Sequence, residues 1–129
     1  MISVELAERL RRAGLPWEPA AGDRFVVRVP GMESDVFVLS DVVAEVHEFV
    51  DGVVVGFNGT VEWALDSVAI DQVLWLPRET QLRQALGESF VGLEVVPMGF
   101  AVELADGSRH ADIDAEDAYA RAVLALLAG

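Results

Sequence analysis

The chain contains no cysteine and no lysine, and it has no apolar run long enough to cross a membrane. Without cysteine it forms neither disulfides nor thiolate metal sites, and it has no thiol nucleophile. Without a run of about 20 apolar residues, no transmembrane helix is predicted. The first residues, Met1–Glu5, lack the basic and apolar segments of a signal peptide, so the sequence predicts a cytoplasmic protein.

The chain is strongly acidic, because its formal net charge is −13 and its nine basic residues are all arginine. The acidic residues are spread along the whole chain and do not form a detachable tail. A charge of this sign repels phosphate backbones and anionic lipid headgroups, and no basic stripe interrupts it. The sequence therefore predicts that the protein binds neither nucleic acid nor membranes.

Hydrophobic periodicity and turn residues predict an α+β protein that forms a single compact domain over residues 1–129. A chain of this length that is 53% hydrophobic can bury a core without a metal or a disulfide. The predicted element order is α-β-β-β-β-α-β-α-β-β-β-α, with one or more antiparallel sheets and helices packed against them. Because helix, strands and helix follow one another in both halves, the order is also compatible with a two-half pseudo-repeat.

The element boundaries follow from capping residues, prolines and turn dipeptides. The predicted helices cover residues 4–13, 60–68, 77–86 and 115–127. The predicted strands cover residues 24–29, 36–39, 42–50, 53–57, 73–76, 90–96, 100–104 and 109–113. Asp51-Gly52 predicts the clearest hairpin, because an Asp-Gly pair suits a two-residue turn between strands.

Three side chains that can bind a divalent cation alternate near the end of the last predicted strand: His110, Asp112 and Asp114. Residues two apart share one face of a strand, and imidazole and carboxylate groups are cation ligands. The calcium-loop pattern is not satisfied, because Asp117 stands where it requires glycine and Val123 where it requires glutamate. A solvated strand face that ends in a helix cap explains the same residues. We therefore predict no bound metal and no cofactor.

Glu45 and His47 share the face of another predicted strand, and such a pair can perform acid–base chemistry. An exposed, charged strand face explains this pair equally well. No G-x-S-x-G or related nucleophile motif accompanies either histidine. The alternative function is thus a small metal-binding protein or hydrolase-like enzyme that uses His110, Asp112 and Asp114, or Glu45 and His47.

The last predicted helix is apolar around most of its circumference, which indicates burial on more than one side. Its predicted core face consists of Ala118, Tyr119, Ala122, Val123, Leu126 and Leu127. The opposite side carries Ala120, Leu124 and Ala128 where an ordinary surface helix has charges. Either a loop of the same chain or an interface covers these three residues. We predict a small non-enzymatic accessory domain that binds a protein partner or itself through them, most simply as a homodimer.

Five stretches resemble a family of short, uncharacterised bacterial proteins: Leu6–Trp17, Gly22–Phe25, Phe57–Asp66, Trp75–Arg78 and Asp114–Ala122. Some members carry an automated pilus-assembly label, which normally implies a nucleotide-binding ATPase. This chain has no G-x-x-x-x-G-K-[ST] motif and no lysine, so nothing in it matches that way of holding phosphate. The resemblance supplies no catalytic residues.

Overall fold

The computed structural model describes residues 1–28, 31, 35–39, 54–57, 61–64 and 72–129, with the backbone alone for 54–57 and 61–64. The chain folds as two compact units. Residues 17–76 form one, the insert unit, and residues 1–16 together with 77–129 form the other, the terminal unit. The α+β class with antiparallel sheets is confirmed. The single compact domain and the pseudo-repeat stay predictions, and the two units do not coincide with the two halves of the chain.

The insert unit contains a five-stranded antiparallel sheet in the order β4-β3-β2-β1-β5. Its strands are β1 (Arg24–Val27), β2 (Val36–Val38), β3 (Val54–Phe57), β4 (Val61–Ala64) and β5 (Val73–Leu76). The register sets Phe25 of β1 between Phe37 and Trp75. Both faces of β1 are covered, because the successive side chains Phe25, Val26 and Val27 are all buried.

Strand β4 corrects the sequence prediction, which placed a helix over residues 60–68. Val61–Ala64 pairs with β3 in an antiparallel register that runs from Phe57 opposite Val61 to Val54 opposite Ala64. Valine and tryptophan favour strands, and so short a segment shows too little periodicity to separate a helix from a strand. The predicted strand over residues 42–50, and hence its hairpin with 53–57, lies outside the described residues.

The terminal unit combines a three-stranded antiparallel sheet, in the order β6-β7-β8, with helices that pack against it. Its elements are α1 (Val4–Arg12), α2 (Glu79–Leu86), β6 (Phe90–Val96), β7 (Gly99–Leu104), β8 (Arg109–Asp112) and α3 (Ala115–Ala128). Helix α3 contacts β7, β8, α1 and α2, and its Tyr119 stacks on Phe90 at a ring distance of 5.7 Å. In the part of the chain that the structure describes, no helix has the length and apolar character to cross a bilayer.

The helix ends follow the capping signals in the sequence. Ser3 Oγ accepts the Leu6 N–H at 3.2 Å at the start of α1, and Gly14 follows that helix in the left-handed region with φ 97°. Pro77 was predicted to open α2, but the helix begins at Glu79 after the N-cap Arg78. Pro77 thus lies just outside the helix, between the strand β5 and the cap.

Glu116 joins the beginnings of three helices in the terminal unit. It lies in the first turn of α3, where its Oε1 accepts the Ile2 N–H at 3.0 Å and its Oε2 accepts the Glu79 N–H at 2.8 Å. The neighbouring Asp117 accepts the Ser3 N–H at 2.7 Å. N–H groups at helix starts have no partner within the helix, so these carboxyl groups satisfy donors that the fold would otherwise leave without protein acceptors.

Replacing Glu116 with alanine should lower the free energy of unfolding by about 1–3 kcal/mol, because two backbone N–H groups lose their acceptor. Glu116→Gln keeps one side-chain oxygen and should lose about half as much. Urea denaturation followed by far-ultraviolet circular dichroism measures both changes. Glu103→Ala, on an exposed side chain of β7, is the control. An alanine variant as stable as the wild type would show that the two hydrogen bonds contribute nothing.

Candidate interaction surface

The three candidate metal ligands have separate partners. His110 Nε2 lies 3.0 Å from Ser108 Oγ, and Asp112 Oδ2 accepts a hydrogen bond from Arg121 Nε at 2.6 Å. Asp114 does not continue the strand face, because β8 ends at Asp112 and Asp114 caps α3. Within the described ranges, no group of three His, Asp or Glu side chains is arranged to hold a metal ion.

The second candidate pair, Glu45 and His47, lies outside the described residues. The acid–base hypothesis built on these two side chains therefore stays a hypothesis.

The predicted interface on the last helix is not a continuous exposed surface. Ala120 is fully buried in its own chain, Leu124 is half-buried and Ala128 is exposed. Helix α3 contacts α1, α2 and the sheet, and the side that was expected to face a partner is covered at Ala120 by the same chain. The end of the helix corrects the predicted core face, because Leu126 and Leu127 were predicted in the core but are 39% and 40% exposed.

Three large apolar side chains project into solvent where the β6–β7 turn meets the end of β8. Val95 is 80% exposed, Met98 is 88% exposed and Ile113 is 75% exposed. We call these three residues the hairpin patch. An open depression of about 430 Å³ is lined by two of them, Met98 and Ile113, and also by Asp112 and Arg121. Apolar groups gathered in this way on a surface mark a site of interaction more often than scattered ones do.

Met98 occupies a backbone conformation that methionine rarely adopts. The turn between β6 and β7 consists of Pro97 and Met98, with Val96 opposite Gly99. The φ angle of Met98 is 69°, and no other described residue except glycine has a positive φ. Proline followed by a residue with positive φ is the pattern of a type II turn, in which glycine or asparagine is the usual second residue. A side chain there costs roughly 1–2 kcal/mol of conformational energy.

Gly99 is not part of the turn, as the sequence pattern Pro97-Met98-Gly99 predicted, but the first residue of β7. A Cβ atom at this position would overlap the carbonyl oxygen of Asp112 and lie 2.9 Å from the Cα atom of Ile113. The absence of a side chain lets β7 pass this close to the end of β8. The turn that carries Met98 and the residue Ile113 are thereby brought to the same edge of the unit.

The charged groups at the depression are paired. Partial burial acts to raise the pKa of Asp112, but hydrogen bonds from Arg121 and from the Ile113 N–H, the latter at 2.7 Å, bring this pKa below its ordinary value of 3.8. The carboxylate and the guanidinium therefore form an ion pair at neutral pH. The depression thus offers a balanced pair of charges beside the exposed apolar side chains of Met98 and Ile113.

The ion pair predicts a small dependence of stability on pH. Folding lowers the pKa of Asp112, so the ionised carboxyl group stabilises the folded state. This contribution to the free energy of unfolding is complete above the unfolded pKa of 3.8 and is lost as the pH falls through the lower folded pKa. For a partly exposed pair we expect no more than about 1 kcal/mol. Urea denaturation of the wild type and of Asp112→Asn, from neutral pH to about pH 3, measures the difference in their free energies of unfolding. This difference should become smaller towards about pH 3. Arg121→Gln should show the same pH dependence, because it removes the other partner of the ion pair. A difference in the free energy of unfolding that does not change with pH would contradict the pairing.

Comparisons of the chain with models of known protein families, with curated proteins and with solved structures gave no match. The resemblance to a bacterial family therefore stays an expectation. Sequence reasoning missed the hairpin patch, although the Pro-Met pair located its turn. No periodic signal marked Ile113, because this residue lies between the end of a strand and the cap of a helix.

Proposed function

We propose that the protein is a small, non-enzymatic protein-interaction domain and that the hairpin patch is its contact surface. The observation that carries this proposal is Met98, in which two unfavourable features coincide. Its side chain is apolar yet 88% exposed, and its backbone lies in the left-handed region. Glycine at this position would avoid both costs. Strain of this kind persists at sites where a side chain is needed for contact with another molecule.

The composition of the surface supports a protein as the ligand. Interfaces between proteins combine an apolar centre with a polar rim, and methionine is frequent in them because its flexible thioether fits differently shaped partners. Here Met98 and Ile113 supply the apolar centre, and the Asp112–Arg121 pair supplies polar groups beside it. The acidic composition supports a partner that is neither a nucleic acid nor a membrane, and a cytoplasmic location is part of the proposal.

Met98→Gly should stabilise the protein by about 0.5–1 kcal/mol, because the gain at a positive φ exceeds the flexibility that glycine adds to the unfolded chain. Met98→Ala is the matched control, since it removes the long side chain but keeps a Cβ atom in the left-handed conformation. It should not be more stable than the wild type. Thermal unfolding measures all three proteins. An alanine variant as stabilised as the glycine variant would show that the backbone is not strained.

The function itself is tested by selecting peptides from a random display library on the wild-type protein, with counter-selection on a Met98→Gly, Ile113→Ser variant. We expect enriched peptides that bind the wild type and lose about tenfold or more in affinity on the variant, which corresponds to about 1.4 kcal/mol. Amide chemical-shift changes should centre on the turn and on residues 111–113. A selection that enriches nothing over the counter-selection, or peptides that bind elsewhere, would overturn the proposal.

A further inference from the structure

We propose that the partner is a second copy of this chain, and that strand β6 of one copy pairs antiparallel with β6 of the other. This inference rests on the proposed function, because it names the partner, and it adds the free edge of β6 to the hairpin patch. Among the residues that the structure describes, β6 has β7 on one side and no strand on the other. The seven residues Phe90–Val96 form an edge longer than a typical strand of about five or six residues.

The regular part of this edge, residues 92–96, contains neither lysine nor proline, and the bulge lies only at its beginning. Edge strands are commonly protected by lysine, by proline within the strand or by unbalanced charges. The side chains Val91 and Val95 are instead apolar, and they are 56% and 80% exposed. The one charged residue of the strand, Glu94, forms an ion pair with Arg109 of the same sheet. A bulge between Phe90 and Gly92 leaves residues 92–96 as the regular part of the edge.

The hydrogen-bonding groups of β6 face the free edge at alternate residues. Val96 and Gly99 flank a two-residue turn, and residues in this position form a hydrogen-bonded pair. In an antiparallel ladder such pairs alternate with pairs whose N–H and C=O groups point away from the neighbouring strand. Counting back from Val96, Val95 and Leu93 therefore direct their backbone groups outward.

A two-fold axis at Leu93 gives the pairing register that suits this edge. It sets Leu93 against Leu93 of the second copy, so that outward N–H and C=O groups meet within the regular residues 92–96. Glu94 then lies opposite Gly92, which has no side chain. Moving the axis by one residue towards Val95 would place two Glu94 carboxylates directly opposite each other, which is destabilising. The edge is thus complementary to itself, and two-fold dimers are the commonest assemblies of identical chains.

The charge of the chain predicts how the dimer responds to salt. Two copies that each carry a net charge of −13 repel each other, whereas the edge itself contributes backbone hydrogen bonds and apolar contacts. Raising the ionic strength from about 0.1 M to about 0.5 M shortens the screening length to well under 10 Å and weakens this repulsion. The dimer should therefore become tighter at high salt, whereas an interface held together by ion pairs would become weaker.

Light scattering on the purified full chain across a concentration series at both salt concentrations tests the dimer. Val95→Lys should raise the dissociation constant about tenfold or more, because it places lysine on the edge. Val4→Lys is the matched control, since it makes the same change of charge at a 45% exposed valine on α1. A chain that stays monomeric at about 100 µM in high salt, or a dimer that both lysine variants weaken equally, would overturn the inference.

The register is tested by cysteine cross-linking, which is unambiguous because the chain has no cysteine of its own. Gly92 has open space for a side chain and Glu94 is exposed, so Gly92→Cys and Glu94→Cys should both fold. A mixture of the two variants should form a disulfide-linked dimer under mild oxidation. Each variant alone should not, because residue 92 faces residue 94. A strong cross-link by Glu94→Cys alone would reject the axis at Leu93.

The outcomes separate this inference from the proposed function. Peptides that depend on Met98, found together with a monomeric chain, would retain the interaction domain and reject the homodimer. A dimer that Val95→Lys disrupts, with the predicted cross-link, supports both. A monomer that selects no peptides would reject both.

Discussion

Replacing Asp23 with alanine should destabilise the insert unit by about 3–4 kcal/mol, because two hydrogen-bond donors lose their acceptor inside the fold. Asp23 is fully buried, and its Oδ2 accepts the indole N–H of Trp17 at 2.8 Å and the backbone N–H of Ala20 at 3.0 Å. Trp17 in turn stacks on Trp75 at a ring distance of 6.1 Å. The carboxyl group therefore fixes the loop before β1 against the aromatic side of the sheet.

Variants that change one contact at a time separate the contributions. Asp23→Asn keeps an oxygen acceptor in the same place and should cost about 1 kcal/mol, and Trp17→Phe should cost about as much because it removes one donor. Combining Trp17→Phe with Asp23→Ala should cost less than the sum of the single changes, since the shared hydrogen bond is lost only once. Urea denaturation followed by tryptophan fluorescence measures these values. Strict additivity would show that Trp17 and Asp23 do not interact.

Gly99→Ala should lower the free energy of unfolding by about 2–3 kcal/mol, because an added methyl group has no room at this position. Its Cβ atom would overlap the carbonyl oxygen of Asp112, and backbone atoms cannot rotate away as a side chain can. The beginning of β7 and the end of β8 must therefore separate. For a unit of this size the midpoint of thermal unfolding should fall by roughly 10 °C or more.

Gly92→Ala provides the matched control for this prediction. Gly92 is also a strand glycine of the same sheet, but it has open space around the position of a Cβ atom and no positive φ. Alanine there should leave stability unchanged or raise it by up to about 1 kcal/mol, because it reduces the freedom of the unfolded chain. Equal losses from the two substitutions would show that the close approach at Gly99 does not limit the fold.

Local signals in the sequence predicted the parts of the fold that local physics determines. The cap at Ser3, the Asp114 cap of α3 and the turn at Asp106-Gly107 all appear where the residues predicted them. The helix over residues 60–68 was wrong at Val61–Ala64, because pairing with β3 decides that segment and a distant strand leaves no local pattern. The assignment of a segment to helix or strand could thus be predicted wherever capping or turn residues determine it.

The burial of α3 and the hairpin patch could not be predicted, because both depend on which elements become neighbours. Ala120 is buried on a helix that contacts two other helices and two strands, and helical periodicity alone does not show these neighbours. The hairpin patch joins Met98 with Ile113 through the close approach at Gly99. The sequence Pro-Met-Gly predicts that the glycine is a turn residue, and only the position of β8 shows why glycine is needed at the start of the strand.

The links from Ile2 to Glu116 and from Ser3 to Asp117 also fix an order of events during synthesis. Each joins residues 114 positions apart in the chain. At a translation rate of about 5–20 residues per second, the acceptors emerge on the order of ten seconds after the donors. During that interval α1 has no α3 to pack on, whereas the insert unit has its whole sequence available. The insert unit is therefore complete before the terminal unit, and Ile2 and Ser3 emerge before the insert unit but reach their final contacts after its whole sequence has emerged.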